Sequence, residues 1–277
     1  MKPATCALMR FGKPAALAAA LAAAALTAVA RAGTAPGAGE APAAAAAPAE
    51  TAGRPVQVTA NLSFASQYLA FGSGIQLSSH PVVQGGLFFS HRSGAYVSLW
   101  GSSGFDGSYG RRDGQLDFGD ELDLGIGWAG RIGGLSVDLS TTYFNEPLPG
   151  NLGANDIVYT HLRVGKSWEN GLTLTAVWQN YAPLDGSFYG GGNLIGLELS
   201  RAFRLTESLS LPLMFGAVHD DGGIDAGDGL LLRGSAVLSW KLSASWSAET
   251  GYRYYIPTMS DFRSTDGVWW TGVSWSF

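Results

Sequence analysis

From Val56 to Phe277 apolar and polar residues alternate with a period of two, segment after segment. Successive side chains of a strand point to opposite faces, so this pattern encodes strands with one apolar and one polar face. In the last segment Trp269, Thr271, Val273, Trp275 and Phe277 share one face, against Trp270, Gly272, Ser274 and Ser276. Leu122, Leu124, Ile126 and Trp128 oppose Asp123, Gly125 and Gly127 in the same way. Helical membrane spans need runs of ~20 apolar residues. After Arg54 the longest apolar run is Leu211 to Val218, and Pro212 and Gly216 interrupt it.

Composition narrows the class. Charged residues make up 14% of the chain, against about a quarter in a soluble domain. Hydrophobic residues reach 46%, aromatics 12%, and mean hydropathy is only +0.11. Disorder requires the opposite balance, with many charges and few aromatics. A net charge of −5 excludes a strongly basic nucleic-acid binder, so no nucleic-acid partner is expected.

The first 55 residues follow a different rule. Lys2, Arg10 and Lys13 precede an uncharged Ala/Leu stretch, Pro14 to Ala30, and Ala30-Arg31-Ala32 fits a small-x-small cleavage site. Residues 1–32 therefore read as a secretory signal peptide. Cys6 lies before the apolar stretch, not after it, so it is no lipid acceptor. Cleavage would remove four basic residues and no acid, taking the net charge to −9 and leaving no cysteine. Residues 33–55 are an Ala/Pro/Gly tract that cannot build a core and reads as a flexible leader.

Twelve segments can be counted in 56–277, near 56–71, 83–91, 95–103, 120–130, 134–144, 157–168, 171–181, 193–203, 207–218, 229–241, 244–255 and 267–277. The connections at 92–94, 131–133, 169–170, 204–206 and 242–243 are short. Those at 72–82, 104–119, 145–156, 182–192, 219–228 and 256–266 are long. Even strand number with short turns at one end and long loops at the other predicts an all-β, antiparallel, up-and-down transmembrane barrel of twelve strands. Closure satisfies every backbone group without an edge.

With both termini periplasmic, Trp128, Trp168, Phe203, Trp240, Trp246, Trp275 and Phe277 fall near the inner rim. Tyr68, Tyr143, Trp178, Phe215, Tyr254 and Trp269 fall near the outer one. Two aromatic girdles suit the two lipid–water boundaries. A soluble sandwich has no reason to place aromatics at both strand ends. Some positions fit less well. Lys166 and Arg201 have outward parity but lie close enough to the short turns to snorkel. Pro212 removes a ladder donor, which predicts a bulge or a shifted boundary. In the third segment Val97 and Leu99 compete with Tyr96 and Trp100 for the apolar face.

Ser66-Gln67-Tyr68-Leu69-Ala70-Phe71-Gly72, then Pro81-Val82-Val83-Gln84-Gly85-Gly86, then His91, Ser93-Gly94 and Tyr96 to Trp100 resemble the start of the TorF-type porin family. Glu121-Leu122-Asp123-Leu124 looks like the acidic strand that follows there. The resemblance is densest over 60–130. Gln67 stands where the family has an acid and Phe71 where it has an Arg. The resemblance implies a Gram-negative outer-membrane barrel. Terminal Phe277, with Trp275 and Val273 at alternate positions, resembles the C-terminal signal read by the outer-membrane assembly machinery.

Inward parity collects Asp123, Asp138, His161, Arg163, Glu198, Arg233, Lys241, Glu249 and Arg253. These either form a charged pore lining that sets ion preference or pair with one another to pin and close the barrel. The long loops hold twelve acids against Arg111, Arg112 and Arg263, which makes either a cation-favouring vestibule or simply a solvated outer surface. The run Asp220 to Asp228 lacks the spacing and closing Glu of a calcium loop. His219-Asp220 and inward His161 come without a G-x-S-x-G nucleophile motif, so no catalytic residue, metal or cofactor is expected. The expected function is passive diffusion of small hydrophilic solutes or ions, with cations favoured. The alternative is a closed-lumen barrel with a structural or ligand-binding role through its outer loops. Expected partners are outer-membrane lipid and lipopolysaccharide, the assembly machinery through the C-terminal strand, and small solutes.

Overall fold

A computed structural model describes residues 55–70, 72–104, 121–145, 156–184, 190–222, 228–258 and 266–277. Residues 1–32 and nearly all of 33–55, the expected signal peptide and leader, lie outside the described residues. Twelve long strands close on one another: β1 (Val56–Ala65), β4 (Val82–His91), β5 (Ala95–Gly104), β6 (Glu121–Ile132), β7 (Leu135–Asn145) and β8 (Ile157–Ser167), followed by β9 (Leu172–Pro183), β10 (Gly192–Arg204), β11 (Leu209–Asp221), β12 (Asp228–Lys241), β13 (Trp246–Pro257) and β14 (Asp266–Ser276). Two further short strands, β2 (Tyr68–Leu69) and β3 (Gln76–Ser78), form a separate two-stranded hairpin.

Every neighbouring pair in the barrel is antiparallel, and β1 closes the ring on β14, with Thr59 opposite Ser276 and Ala65 opposite Trp270. The backbones of Val58 and Phe277 exchange hydrogen bonds, so both ends of the barrel sequence sit at the short-turn end. The strand count and the alternation of short and long connections agree with the sequence reading. Parity settles the third segment: Tyr96 and Trp100 are buried inside, and Val97 and Leu99 are exposed outside. No bulge forms at Pro212. The β11–β12 ladder breaks at Leu211 and Pro212, and Leu213 opposite Ala236 resumes the register of Ser210 opposite Ser239.

The barrel is built inside out relative to a soluble protein. Leu62, Leu122, Leu124, Ile126, Ile195 and Leu197 are each more than half exposed on its outer face. A continuous apolar belt of this kind is unfavourable in water and favourable in hydrocarbon. Trp246 and Trp275 stack at 5.5 Å near the short-turn end, and the Trp275 and Phe277 rings lie 4.5 Å apart.

The first segment departs from the reading. β1 stops at Ala65 rather than running to residue 71, and β4 begins directly opposite it, at Val82. The residues between leave the wall and return at its neighbouring position. Tyr68, assigned by sequence to the outer girdle, is buried within the barrel. The reason is local. Gly72 and Gly74 adopt φ of 79° and 67°, a left-handed conformation that glycine enters without strain. They reverse the chain between β2 and β3 and fold it back on itself.

Candidate functional site

The hairpin turns into the lumen at the long-loop end. Its contacts span the ring. The Tyr68 hydroxyl donates to Glu121 Oε2 on β6 at 2.5 Å, and the Tyr68 ring lies 5.9 Å from Trp100 of β5. Arg233 Nη1 on β12 donates to the Gly72 carbonyl at 3.1 Å. A Cβ on Gly74 would sit 2.6 Å from Cγ of Tyr255 on β13, and one on Gly72 would collide with Gln179 Oε1 on β9. Only glycine lets the hairpin tip lie this close to the wall. Gly86 of β4 plays a related part. A side chain there would meet Trp100 Cδ1 at 3.3 Å, so the Gln84-Gly85-Gly86 segment leaves the space in which Trp100 rests and reaches Tyr68.

Around the hairpin the lumenal face is apolar. Val82, Ile157, Leu194, Val218 and Leu231 are at most 2% exposed, and they belong to one cluster with Leu69 and Leu77 of the hairpin. Burying each leucine contributes roughly 1.5–3 kcal/mol. The long-loop end of the lumen is therefore packed as a core.

Beneath this layer the wall is polar. Glu198 of β10 accepts from Arg163 Nη2 of β8 at 2.5 Å and from Arg233 Nη2 of β12 at 2.7 Å. The three residues sit on next-but-one strands. Gly216 of β11 lies between Glu198 and Arg233, and a Cβ there would stand 3.1 Å from Glu198 Cγ and 3.4 Å from Arg233 Cγ. One arginine thus holds both the hairpin and the acid. His161 and Gln179 oppose each other on β8 and β9 beside this group.

Toward the short turns the polar pattern continues. Tyr96 of β5 passes over Gly127 of β6 and donates to Asp138 Oδ1 of β7 at 2.8 Å. Trp270 of β14 passes over Gly251 of β13, donates to Glu249 Oε1 at 3.2 Å, and takes the Arg253 guanidinium 5.4 Å from its ring. Thr59, Ser239, Ser247, Ser274 and Ser276 are half-buried on the lumenal side there. Lys241 is exposed at the rim.

All nine charged residues read from parity occupy lumenal positions of their strands. The structure groups Arg163, Glu198 and Arg233 together, pairs Asp138 with Tyr96, and brings Glu249 and Arg253 to Trp270. Asp123 lies near Glu121 on β6. Sequence reasoning missed Tyr68, Glu121, Gln179 and Tyr255. The signal that was available for them is the pair Gly72 and Gly74, whose spacing suits a tight reversal directly after the apparent first strand. Val273, Trp275 and Phe277 all lie on the lipid-facing side of the last strand.

Three expectations change. His219 and Asp220 do not pair, because consecutive strand residues face opposite ways. His219 Nε2 instead lies 3.1 Å from Asp228 Oδ1, and Asp220 is fully buried. Asp156 is also buried and accepts from Tyr143, so these two acids belong to the wall rather than to an open vestibule. Asp221 accepts from the backbone and side chain of Asn193. Of the other loop acids, Asp106, Asp113, Asp117, Glu146, Asp185, Asp225 and Asp261 lie outside the described residues. Arg201 is buried despite its outward parity, with its guanidinium 5.0 Å from the Phe203 ring. Lys166 is exposed.

A lipid-facing apolar belt, a closed twelve-stranded ring and a lumen filled from within define an outer-membrane-type β-barrel. The chain belongs to the Gcw_chp family, described as a bacterial protein of unknown function, whose model matches residues 49–261. No curated protein matches the sequence. Among solved structures it is similar to a KdgM porin in complex with disordered oligogalacturonate, with a TM-score of 0.50 and 8% identity, over 80% of this chain and 99% of that one. It is similar to a NanC porin at TM-score 0.49 and 7% identity, over 79% of this chain and 98% of that one. It also matches the translocator domain of the autotransporter NalP from Neisseria meningitidis, at 0.44 and 13%, over 82% and 90%. At such identities the likeness is one of fold.

Proposed function

We propose that the protein is a bacterial outer-membrane channel for small hydrophilic solutes or ions, narrowed at its outer mouth by the β2–β3 hairpin. The observation that carries this reading is the division of the lumen. Its periplasmic half presents partly exposed serines, threonines and charged groups, as a hydrated path requires. The obstruction at the other end is made by an inserted hairpin, not by the wall. The resemblance of residues 60–130 to TorF-type porins and the KdgM-like fold support the same class. Among the described residues the lumenal acids Glu121, Asp123, Asp138, Glu198, Asp220 and Glu249 outnumber Arg163, Arg233, Arg253 and Lys241 by two, which favours a weak cation preference.

A second reading is a closed-lumen barrel acting through its outer loops. The apolar layer of Val82, Ile157, Leu194, Val218 and Leu231 around the hairpin favours it, as does the commitment of Arg163 and Arg233 to Glu198.

Planar-bilayer recording under a KCl gradient separates the two. Discrete current steps with a cation-sided reversal potential support the channel and its preference. An anion-sided potential keeps the channel and discards the preference. A folded barrel that carries no current, with or without its hairpin, leaves the closed reading.

A further inference from the structure

We propose that the β2–β3 hairpin is a displaceable plug, latched to the barrel by Arg233 and Tyr68. This deepens the channel reading and rests on it. Four observations carry it.

The hairpin is no part of the barrel's hydrogen-bonded ring. β1 and β4 pair directly from Val56–His91 to Ala65–Val82, so the segment between leaves and re-enters the wall at adjacent positions. Its removal from the lumen breaks no rung of the barrel.

Its own ladder is minimal. Tyr68 pairs with Ser78 and Leu69 with Gln76, with an irregular register between them, and the tip adds only Ala70 N–H to the Ile75 carbonyl and Gly74 N–H to the Ala70 carbonyl. The unit is held in place by what surrounds it.

Two latches are identifiable among the described residues. Arg233 donates to the Gly72 carbonyl and Tyr68 donates to Glu121. Both wall partners have positions of their own without the hairpin. Arg233 is already paired with Glu198, and Glu121 stands on β6. At the root, Ser66 exchanges hydrogen bonds with Trp269, and Gln67 Nε2 donates to the Gly267 carbonyl at 2.6 Å. These root contacts are with β14, next to β1, and leave a hinge close to the rim.

The hairpin also reaches across the lumen. It touches β5, β6, β9, β12 and β13, so a swing about its root takes it off all five strands in one movement. Leu69 and Leu77 hold the closed state, and opening is correspondingly rare.

Thiol accessibility tests this. The sequence has one cysteine, Cys6. In a Cys6→Ser background, Ser73→Cys places a small thiol at the fully buried hairpin tip, and Ser79→Cys places one on the exposed return as a control. The folded chains are reconstituted in phospholipid vesicles and exposed to a charged, membrane-impermeant maleimide. Ser79→Cys is expected to react at once. Ser73→Cys is expected to react slowly, and about tenfold faster when Arg233→Gln or Tyr68→Phe removes one latch. If Ser73→Cys stays unreactive with both latches removed, the hairpin is a fixed part of the wall and the proposal fails. If it reacts as fast as Ser79→Cys in the unlatched and latched barrels alike, the tip is not held and the proposal also fails. Bilayer current through a chain with residues 67–80 replaced by a short Gly/Ser link reports on the channel reading separately, because it needs no hairpin motion.

Discussion

Arg233 and Glu198 meet at 2.7 Å across an intervening strand, because that strand offers only the hydrogen of Gly216 between them. Their strands, β10 and β12, are not neighbours. The ion pair therefore depends on a residue that carries no charge. Gly216→Val is expected to separate the pair and cost about 1–3 kcal/mol, the scale of one charge-assisted hydrogen bond, since Glu198 keeps Arg163. Gly216→Ala should cost less, since its Cβ meets Glu198 Cγ at 3.1 Å and a small shift relieves it. Urea unfolding in detergent, followed by tryptophan fluorescence, measures both. Equal stability of Gly216→Val and the parent would show that the pair does not need the gap.

Glu198→Gln removes the one acid that Arg163 and Arg233 share. Two guanidiniums then lose the negative charge that stands between them. In a conducting barrel the reversal potential should move toward anions, and Arg233→Gln should move it the other way. Identical potentials for both variants and the parent would place this group off the ion path.

Tyr96 and Asp138 repeat the arrangement on the opposite wall, where Tyr96 reaches over Gly127 to its acceptor at 2.8 Å. Tyr96→Phe removes a hydrogen bond from a buried carboxylate and should destabilise by about 1–3 kcal/mol. Gly127→Ala places a methyl 2.6 Å from the Tyr96 oxygen and should cost a similar amount through displacement of the same ring. If the double variant lost the sum of the two, the effects would be independent and the shared-ring account would be wrong.

The two faces of the barrel answer differently to charge. Ile126→Arg on the exposed apolar belt is expected to cost about 2–4 kcal/mol of folding in lipid vesicles. Ser274→Arg on the half-buried lumenal side should cost clearly less. A reversal of this order would mean that the faces are assigned the wrong way round.

Phe277, Trp275 and Val273 sit on the lipid side of the strand that closes the ring. Deleting Phe277 should lower the amount of folded barrel in cells more than it lowers refolding yield in vitro. Parallel losses in both settings would assign the residue to packing alone.

The period-two alternation of residues 56–277 was sufficient to read the fold class, the strand number and the face of most strand residues, but it left the third segment open and placed Tyr68 on the wrong side. These follow from the pleat of a single strand, a local property that sequence records directly. Boundaries were legible wherever a turn or loop interrupted the pattern. They failed at residues 66–71, where Tyr68, Leu69 and Ala70 continue the apolar rhythm although the chain has already left the wall.

Parity also told that Arg163, Glu198 and Arg233 face inward, but not that they meet. Which lumenal side chains touch depends on the register and curvature of the closed ring, and on gaps such as Gly216 and Gly127 that open contacts between next-but-one strands. The inward fold of the hairpin was likewise decided by tertiary structure. Leu69 and Leu77 find in the lumen an apolar layer assembled from β4, β8, β10, β11 and β12. That surface exists only once the barrel has closed, so no stretch of sequence can display it.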